Sequence, residues 1–272
     1  MKNFKKILAL VLAIGMAFAL AACGGKESTD KSGVLGMDML NNAVKHTDDC
    51  TIASNNGKRN LEHYNNLSAA LMDLESGKIV SLSLEESTAK YIVAQNDKFE
   101  YSSGAPYKTG FSMLTKDNNT EVYNILNNAI KDMKTDGTLD SLIANELNAY
   151  INSDPEPKDL PHFDGARTIK IGVTGDIPPM DFVAANGKAA GFNIALLTEI
   201  ANRAQVNIEL VQIETGARAM ALSTDKVDAV FWSKSLTCNE CEKTRTEMPE
   251  GTITTEVYFS DATAEIKLKS DK

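Results

Sequence analysis

At residues 168–182 the chain reads TIKIGVTGDIPPMDF. β-Branched residues alternate with polar ones from Thr168 to Val173, and then glycine, an acid and two prolines stop the run. This predicts the opening strand of an α/β unit, ending at a loop that faces a cleft. The alternation continues downstream. A helix is predicted over GFNIALLTEIANRAQ (191–205), a strand over NIELVQI (207–213), a helix over ARAMALSTD (217–225) and a strand over KVDAVFWS (226–233). An opening strand this late in a chain of 272 residues means that the first half holds other units.

Upstream lies NSDPEPKDLPHFDGA (152–166), with three prolines, four acids and no periodicity, which reads as a linker. Before it the alternation is of the same kind. GVLGMDML (33–40) and DDCTIASNN (48–56) read as short strands. In NLSAALMDLESGKIVSLSL (66–84), Leu67, Ala70, Leu71 and Leu74 share a helical face, Ser76-Gly77 ends the helix, and Ile79 to Leu84 alternate as a strand. EESTAKYIVAQND (85–97) is a helix opened by acids, which suit the positive end of its dipole. YKTGFSML (107–114) is a strand, TEVYNILNNAIKDMKTDG (120–137) a long amphipathic helix closed by Gly137, and TLDSLIANELNAYI (138–151) one more helix.

The start, MKNFKKILALVLAIGMAFALAAC, has three lysines, then fourteen residues of mostly apolar character from Ile7 to Leu20, then small residues before Cys23. The run is too short to span a bilayer and reads as an export signal over residues 1–22. Leu20-Ala21-Ala22-Cys23 resembles the lipobox of bacterial lipoproteins, which implies cleavage before Cys23 and a diacylglycerol on its sulfur. GGKESTDKSG then suits a flexible tether, residues 23–32. The formal net charge is −9, and losing Lys2, Lys5 and Lys6 with the signal makes the mature chain more acidic still. No basic stripe tracks phosphates, so nucleic acid is excluded as a partner. Cys238 and Cys241 in TCNEC have CxxC spacing without a second pair to complete a zinc site, and no metal site is expected. They form either a local disulfide or two free thiols. Cys50 reads as a small buried hydrophobe.

An internal echo links the halves. AALMDLESGKIVSLSL (69–84) and AMALSTDKVDAVFW (219–232) share one plan, with Leu74 matching Leu222, Lys78 matching Lys226 and Ile79 matching Val227. Residues 168–213 with ALSTDKVDAVFW resemble the first lobe of extracellular solute-binding proteins, family 3, which serve ABC importers of amino acids. VYFSD (257–261) is similar to the stretch that precedes the family's crossover. ALMDLESGKI, AKYIVAQND and LNNAIKDMKTDGTLDSLI resemble its second lobe and terminal helices. The resemblance implies an α/β, two-lobed fold like the periplasmic binding proteins, with a mixed sheet in each lobe.

The order is reversed, so the expectation is a circular permutation. The second lobe would occupy residues 33–106, terminal helices packing on the first lobe 107–151, a linker 152–167 and the first lobe 168–272. The alternative is a remnant of a tandem gene whose halves do not complete one bilobed body. Permutation is physically cheap where the old termini lie together at the surface.

Ligands of open α/β lobes sit beyond the carboxyl ends of the strands, which nominates GDIPPMD with Asp176 and Asp181, TGAR with Arg218, WSKS with Trp232, and LEES with Glu85. Arg218 either holds a ligand carboxylate or pairs Glu214 at the surface. Trp232 is either a stacking wall or ordinary core. The resemblance places Glu85 where the family's acid binds an α-amino group, and Ser233, Ser235 and Thr237 where small polar residues bind the carboxylate. It also exposes a departure: Glu240 stands where the family has a carboxylate-clamping arginine, so Arg218 or Arg245 would have to substitute. No GxSxG, HExxH, P-loop or dinucleotide glycine pattern is present, and no enzyme activity or cofactor is expected. The expected function is binding of an amino acid or similar small polar solute. The expected carrier is a lipid-anchored monomer at the extracellular face of the membrane, partnered by an ABC permease. A dehydratase-like enzyme on the same fold, or a sensor lobe, is the rival reading.

Overall fold

A computed structural model describes residues 64, 66–79, 81–153, 157–235 and 249–269. The signal, the tether, Cys23, Cys50 and the strands expected at 33–40 and 48–56 lie outside the described residues. The smaller lobe begins with helix α1 (Leu67–Glu75), followed by strand β1 (Leu82–Glu85) and helix α2 (Glu86–Gln95). Asn66 caps α1 by accepting from Ala69 N, an amide the helix itself leaves without a partner. Strand β2 (Phe99–Lys116) then runs for 18 residues, about 60 Å of extended chain. It leads into the larger lobe with helices α3 (Thr120–Asp136) and α4 (Thr138–Leu142). Between α3 and α4, Gly137 turns the chain at φ 80°, a conformation that costs glycine no steric penalty.

The larger lobe continues with β3 (Thr168–Val173), a small antiparallel sheet of β4 (Asp176–Ile177), β5 (Asp181–Val183) and β6 (Ala189–Ala190), and helix α5 (Phe192–Ala204). Strand β7 (Asn207–Gln212), helix α6 (Arg218–Ser223), β8 (Ala229–Ser235), β9 (Thr252–Thr254) and β10 (Phe259–Leu268) follow. The main sheet has the order β1-β10-β2-β8-β3-β7, with β9 on β2. β3 pairs in parallel with β7 and β8, whereas β2 is antiparallel to β8 and β10, and β10 to β1. The larger lobe is thus mixed, while every described pairing in the smaller lobe is antiparallel.

Two strands cross between the lobes. β2 and β10 pair from Phe99 with Leu268 to Phe111 with Phe259, with a register shift between Ala262 and Ala264. Opposite that shift the pairing skips from Lys108 to Ser103, leaving Gly104, Ala105, Pro106 and Tyr107 out of register. Proline has no amide hydrogen for the ladder, so a bulge is where it is tolerated. The strand expected over 107–114 is extended back to Phe99 by pairing with β10.

The core divides the same way. One cluster joins Leu67, Leu74, Leu84, Ile92, Phe99 and Ile266 in the smaller lobe. A second joins Val122, Leu126, Ile130 and Met133 of α3 with Ile169 and Ile171 of β3, Leu196 and Ile200 of α5, and Phe231. A third, on the opposite sheet face, holds Leu114, Ile213, Leu222, Val230 and Trp232. A Cβ on Gly172 would lie 2.5 Å from Ile213 Cδ1, so any side chain there would displace Ile213. After α4 the chain winds as a π turn (Ile143–Asn148) and a 3-10 turn (Ala149–Asn152) rather than the continuous helix expected over 138–151. This brings Ala149–Asn152 against α2 of the other lobe. The described part of the linker is pinned to the larger lobe. Phe163 N donates to Asn207 Oδ1 at 2.8 Å, and Leu160 packs on the core.

The echo holds in the backbone. Lys78 N and Ile79 N both donate to Asp73 O, and Lys226 N and Val227 N both donate to Ala221 O. Gly77 (φ 75°) and Asp225 (φ 58°) take the same left-handed position in the two turns.

Candidate functional site

Each candidate side chain comes from the carboxyl end of a strand or the loop after it. Glu85 ends β1, stands at the N-cap of α2, and pairs with Thr263 where β10 crosses between the lobes. Asp176 and Asp181 lie on the small sheet after β3, Arg218 opens α6 after β7, and Trp232 lies within β8. Glu85, Asp181, Arg218 and Trp232 line one cavity, walled otherwise by Phe111, Val173, Thr174, Ile177, Met180, Asn193 and Phe231. It encloses about 40 Å³, room for a few water molecules at most.

Arg218 is buried, at 8% exposure. Its Nε donates to Thr215 O at 3.2 Å and its Nη1 to Phe231 O at 2.8 Å, while the guanidinium lies 5.9 Å from the centroid of the Trp232 ring. Arg218 is therefore not a surface side chain, and carbonyl dipoles and an aromatic face are among the groups that meet the buried cation. Trp232 is 7% exposed and lines the cavity while packing in the core. Its Nε1 is buried with no hydrogen-bond partner among the described residues.

Asp181 has its carboxylate engaged by the protein. Oδ1 accepts from Thr174 N at 3.1 Å, Thr174 Oγ1 at 2.8 Å and Gly175 N at 2.9 Å, and Oδ2 accepts from Asn193 Nδ2 at 2.9 Å. Tyr258, one residue before β10, completes the chain by donating to Asn193 Oδ1 at 3.0 Å. Burial holds the Tyr258 phenol well above its ordinary range, which keeps the donating proton in place. Thr174, Asn193 and Tyr258 were not legible as partners, since no local pattern marks them. Asp176 lies beside the cavity and accepts from Leu67 N of the other lobe at 3.1 Å. Burial is the main cause that lifts its carboxyl to about 6, with Asp181 adding to the shift and Arg218 opposing it.

Ser233 and Ser235 lie on β8, opposite Phe111 and Thr109 of β2. Thr237, Cys238, Glu240, Cys241 and Arg245 fall outside the described residues. Among the described residues no group of three or more His, Cys, Asp or Glu is placed to hold a metal ion.

No curated protein matches the chain. Among solved structures it is similar to an arginine-bound form of domain 1 of TmArgBP, at 33% identity over 23% of this chain and 49% of that one, with a TM-score of 0.23. A periplasmic binding protein from Brucella ovis with glutathione bound aligns at 11% identity over 76% of this chain and 48% of that one, with a TM-score of 0.41. A phosphate-binding protein of a phosphate ABC transporter from Streptococcus pneumoniae aligns at 9% identity over 88% and 87%, with a TM-score of 0.37. The chain spans about half the length of the first solved structures it matches. At these TM-scores the fold assignment rests on the chain's own topology. Residues 169–265, which carry Asp176, Asp181, Arg218 and Trp232, match the bacterial extracellular solute-binding proteins, family 3.

Proposed function

We propose that this protein is the lipid-anchored solute-binding component of an ABC importer, closing its two lobes on an amino acid or similar small polar solute. The observation that carries the reading is the interlobe cavity, to which one lobe contributes a buried acid, Glu85, and the other a buried cation, Arg218, with Trp232 between strand and cleft. A zwitterionic or polar solute meets opposite charges on opposite lobes only when both are shut, and that difference in contacts is what drives closure. The buried Trp232 N–H adds a donor for a solute acceptor. Since the shut cavity is too small for an amino acid, the solute must enter an open form. The protein binds without turnover and acts as a monomer that docks on a membrane permease.

A thermal-shift and calorimetric panel of amino acids, short peptides and organic acids tests this. Saturable stabilisation by one class is expected, with Glu85→Gln weakening it by about 1.5–3 kcal/mol, the range for a hydrogen bond to a charged group. Turnover of a panel member, or no binder at all, would overturn it. Anchoring is read from the sequence ending at Cys23; Cys23→Ala should move the protein from the membrane fraction into the medium. Among the described residues no helix is long and apolar enough to cross a membrane.

A further inference from the structure

We propose that Asp176 is a closure residue rather than a solute ligand: its carboxyl group joins the larger lobe to the first turn of helix α1 and sets how readily the cleft shuts. This rests on the two-lobed solute-binding reading above. The Asn66 side chain takes Ala69 N, and Asp176 Oδ2 takes Leu67 N from 109 residues away in sequence. The arm that carries Asp176 touches the smaller lobe in two further ways. Ile177 packs against the cores of both lobes, and the Phe182 ring lies 6.2 Å from that of Tyr91 on α2.

The groups that face Asp176 define how it responds to protons. The Leu67 amide favours its ionised form, Asp181 on β5 disfavours it, and the hydroxyl of Thr174 and Arg218 on α6 favour it. Helix α1 offers its amide and no acid in its first turn, and Glu85 lines the adjoining cavity wall. Burial outweighs these and brings the carboxyl to about 6 in the shut form. When the lobes part, Asp176 loses that burial and returns toward its ordinary value of 3.8. A carboxyl group with a higher pKa in the shut form takes up a proton on closing. Closure is therefore favoured as pH falls from about 6 toward 4 and is penalised above that window. A difference of about two pKa units corresponds to on the order of 100-fold in the closing equilibrium.

The chain's one tryptophan, Trp232, lies in the cleft wall and reports the change. Emission and small-angle scattering of the full mature chain, without solute, are followed from about pH 8 to about pH 4. The wild type should compact and shift to the blue as pH falls through the window between about 6 and 3.8. Asp176→Asn keeps an oxygen for Leu67 N and cannot titrate, so it should stay compact at every pH. If that variant does not fold by circular dichroism, Asp176→Ser offers a hydroxyl oxygen in the same role and should likewise lose the transition. A wild type with no transition overturns the proposal. So does a variant that keeps it, which would move the titration to a group such as Asp261, whose buried carboxyl accepts from Ser87 and is also raised. With no solute present, either failure leaves the solute-binding reading standing. An empty binding panel would leave this transition standing in turn.

Discussion

Asp181 and Asp176 sit five residues apart in one loop, yet they differ in what their carboxylates can do. Asp181 has four donors on its two oxygens, all from its own lobe, so it organises the loop from Thr174 to Gly175 and ties it to α5. An amide in its place must turn one NH₂ group toward donors that need acceptors. Asp181→Asn should lower unfolding free energy by about 2–3 kcal/mol in a urea titration; an unchanged midpoint would show that the loop does not depend on that charge. Arg218 shows the opposite surprise. A residue that sequence places at a helix start, and so near solvent, turns inward because Thr215 and Phe231 present carbonyls and Trp232 presents a ring face.

At the scale of elements, α3 is the part most completely decided by periodicity. Val122, Leu126, Ala129, Ile130 and Met133 recur at helical spacing and are all buried against β3 and α5, with Asn119 accepting at one end and Gly137 turning the other. Ile130 is fully buried, so Ile130→Ala should cost about 3–4 kcal/mol by chemical denaturation, through lost transfer energy and a residual cavity. A loss under about 1 kcal/mol would mean the site collapses freely or that α3 frays before global unfolding. The segment after α4 shows the limit of such patterns. TLDSLIANELNAYI reads as one helix, but the chain unwinds to a π turn and a 3-10 turn as it meets α2. Contacts with another lobe override a local preference worth only tenths of a kcal/mol per residue.

For the whole molecule, chain order and packing order disagree. Residues 120–147 pack on β3, α5 and β8, which come later in the chain, rather than on α1 and α2, which come earlier. β2 and β10 carry the chain across, and Lys269 N donates to Lys98 O at the far end of the smaller lobe. We propose that this arrangement is a circular permutation of the family's order. A reordered chain, beginning at residue 157, joining 272 to 33 through a short flexible link and ending at 153, should then fold with the same melting temperature within a few degrees. Its binding profile should also match. Failure of that chain to fold, while the natural order does, would leave the halves as a divergent pair instead of a permuted body. A flexible link between two ends costs loop-closure entropy, which grows slowly with its length.

Alternating polarity and helical spacing determined α1, α2, α3, α5, β3 and β7 closely, because each buries a face that its own residues encode. The repeated helix-turn-strand plan around Leu74 and Leu222 was legible for the same reason, whereas the left-handed turn residue in each copy, Gly77 and Asp225, was shown by the structure. Tertiary structure alone decided the rest. Gly104 to Pro106 punctuate the sequence like a loop, and only the facing strand β10 makes them a bulge within one long crossing strand. The three short strands between Asp176 and Ala190 are too brief to show a period. The bond from Leu67 to Asp176, and the chain from Tyr258 through Asn193 to Asp181, join groups 109 and 77 residues apart in sequence. Burial, and with it the charge state of a carboxyl group, is set by neighbours that the chain brings together only when it folds.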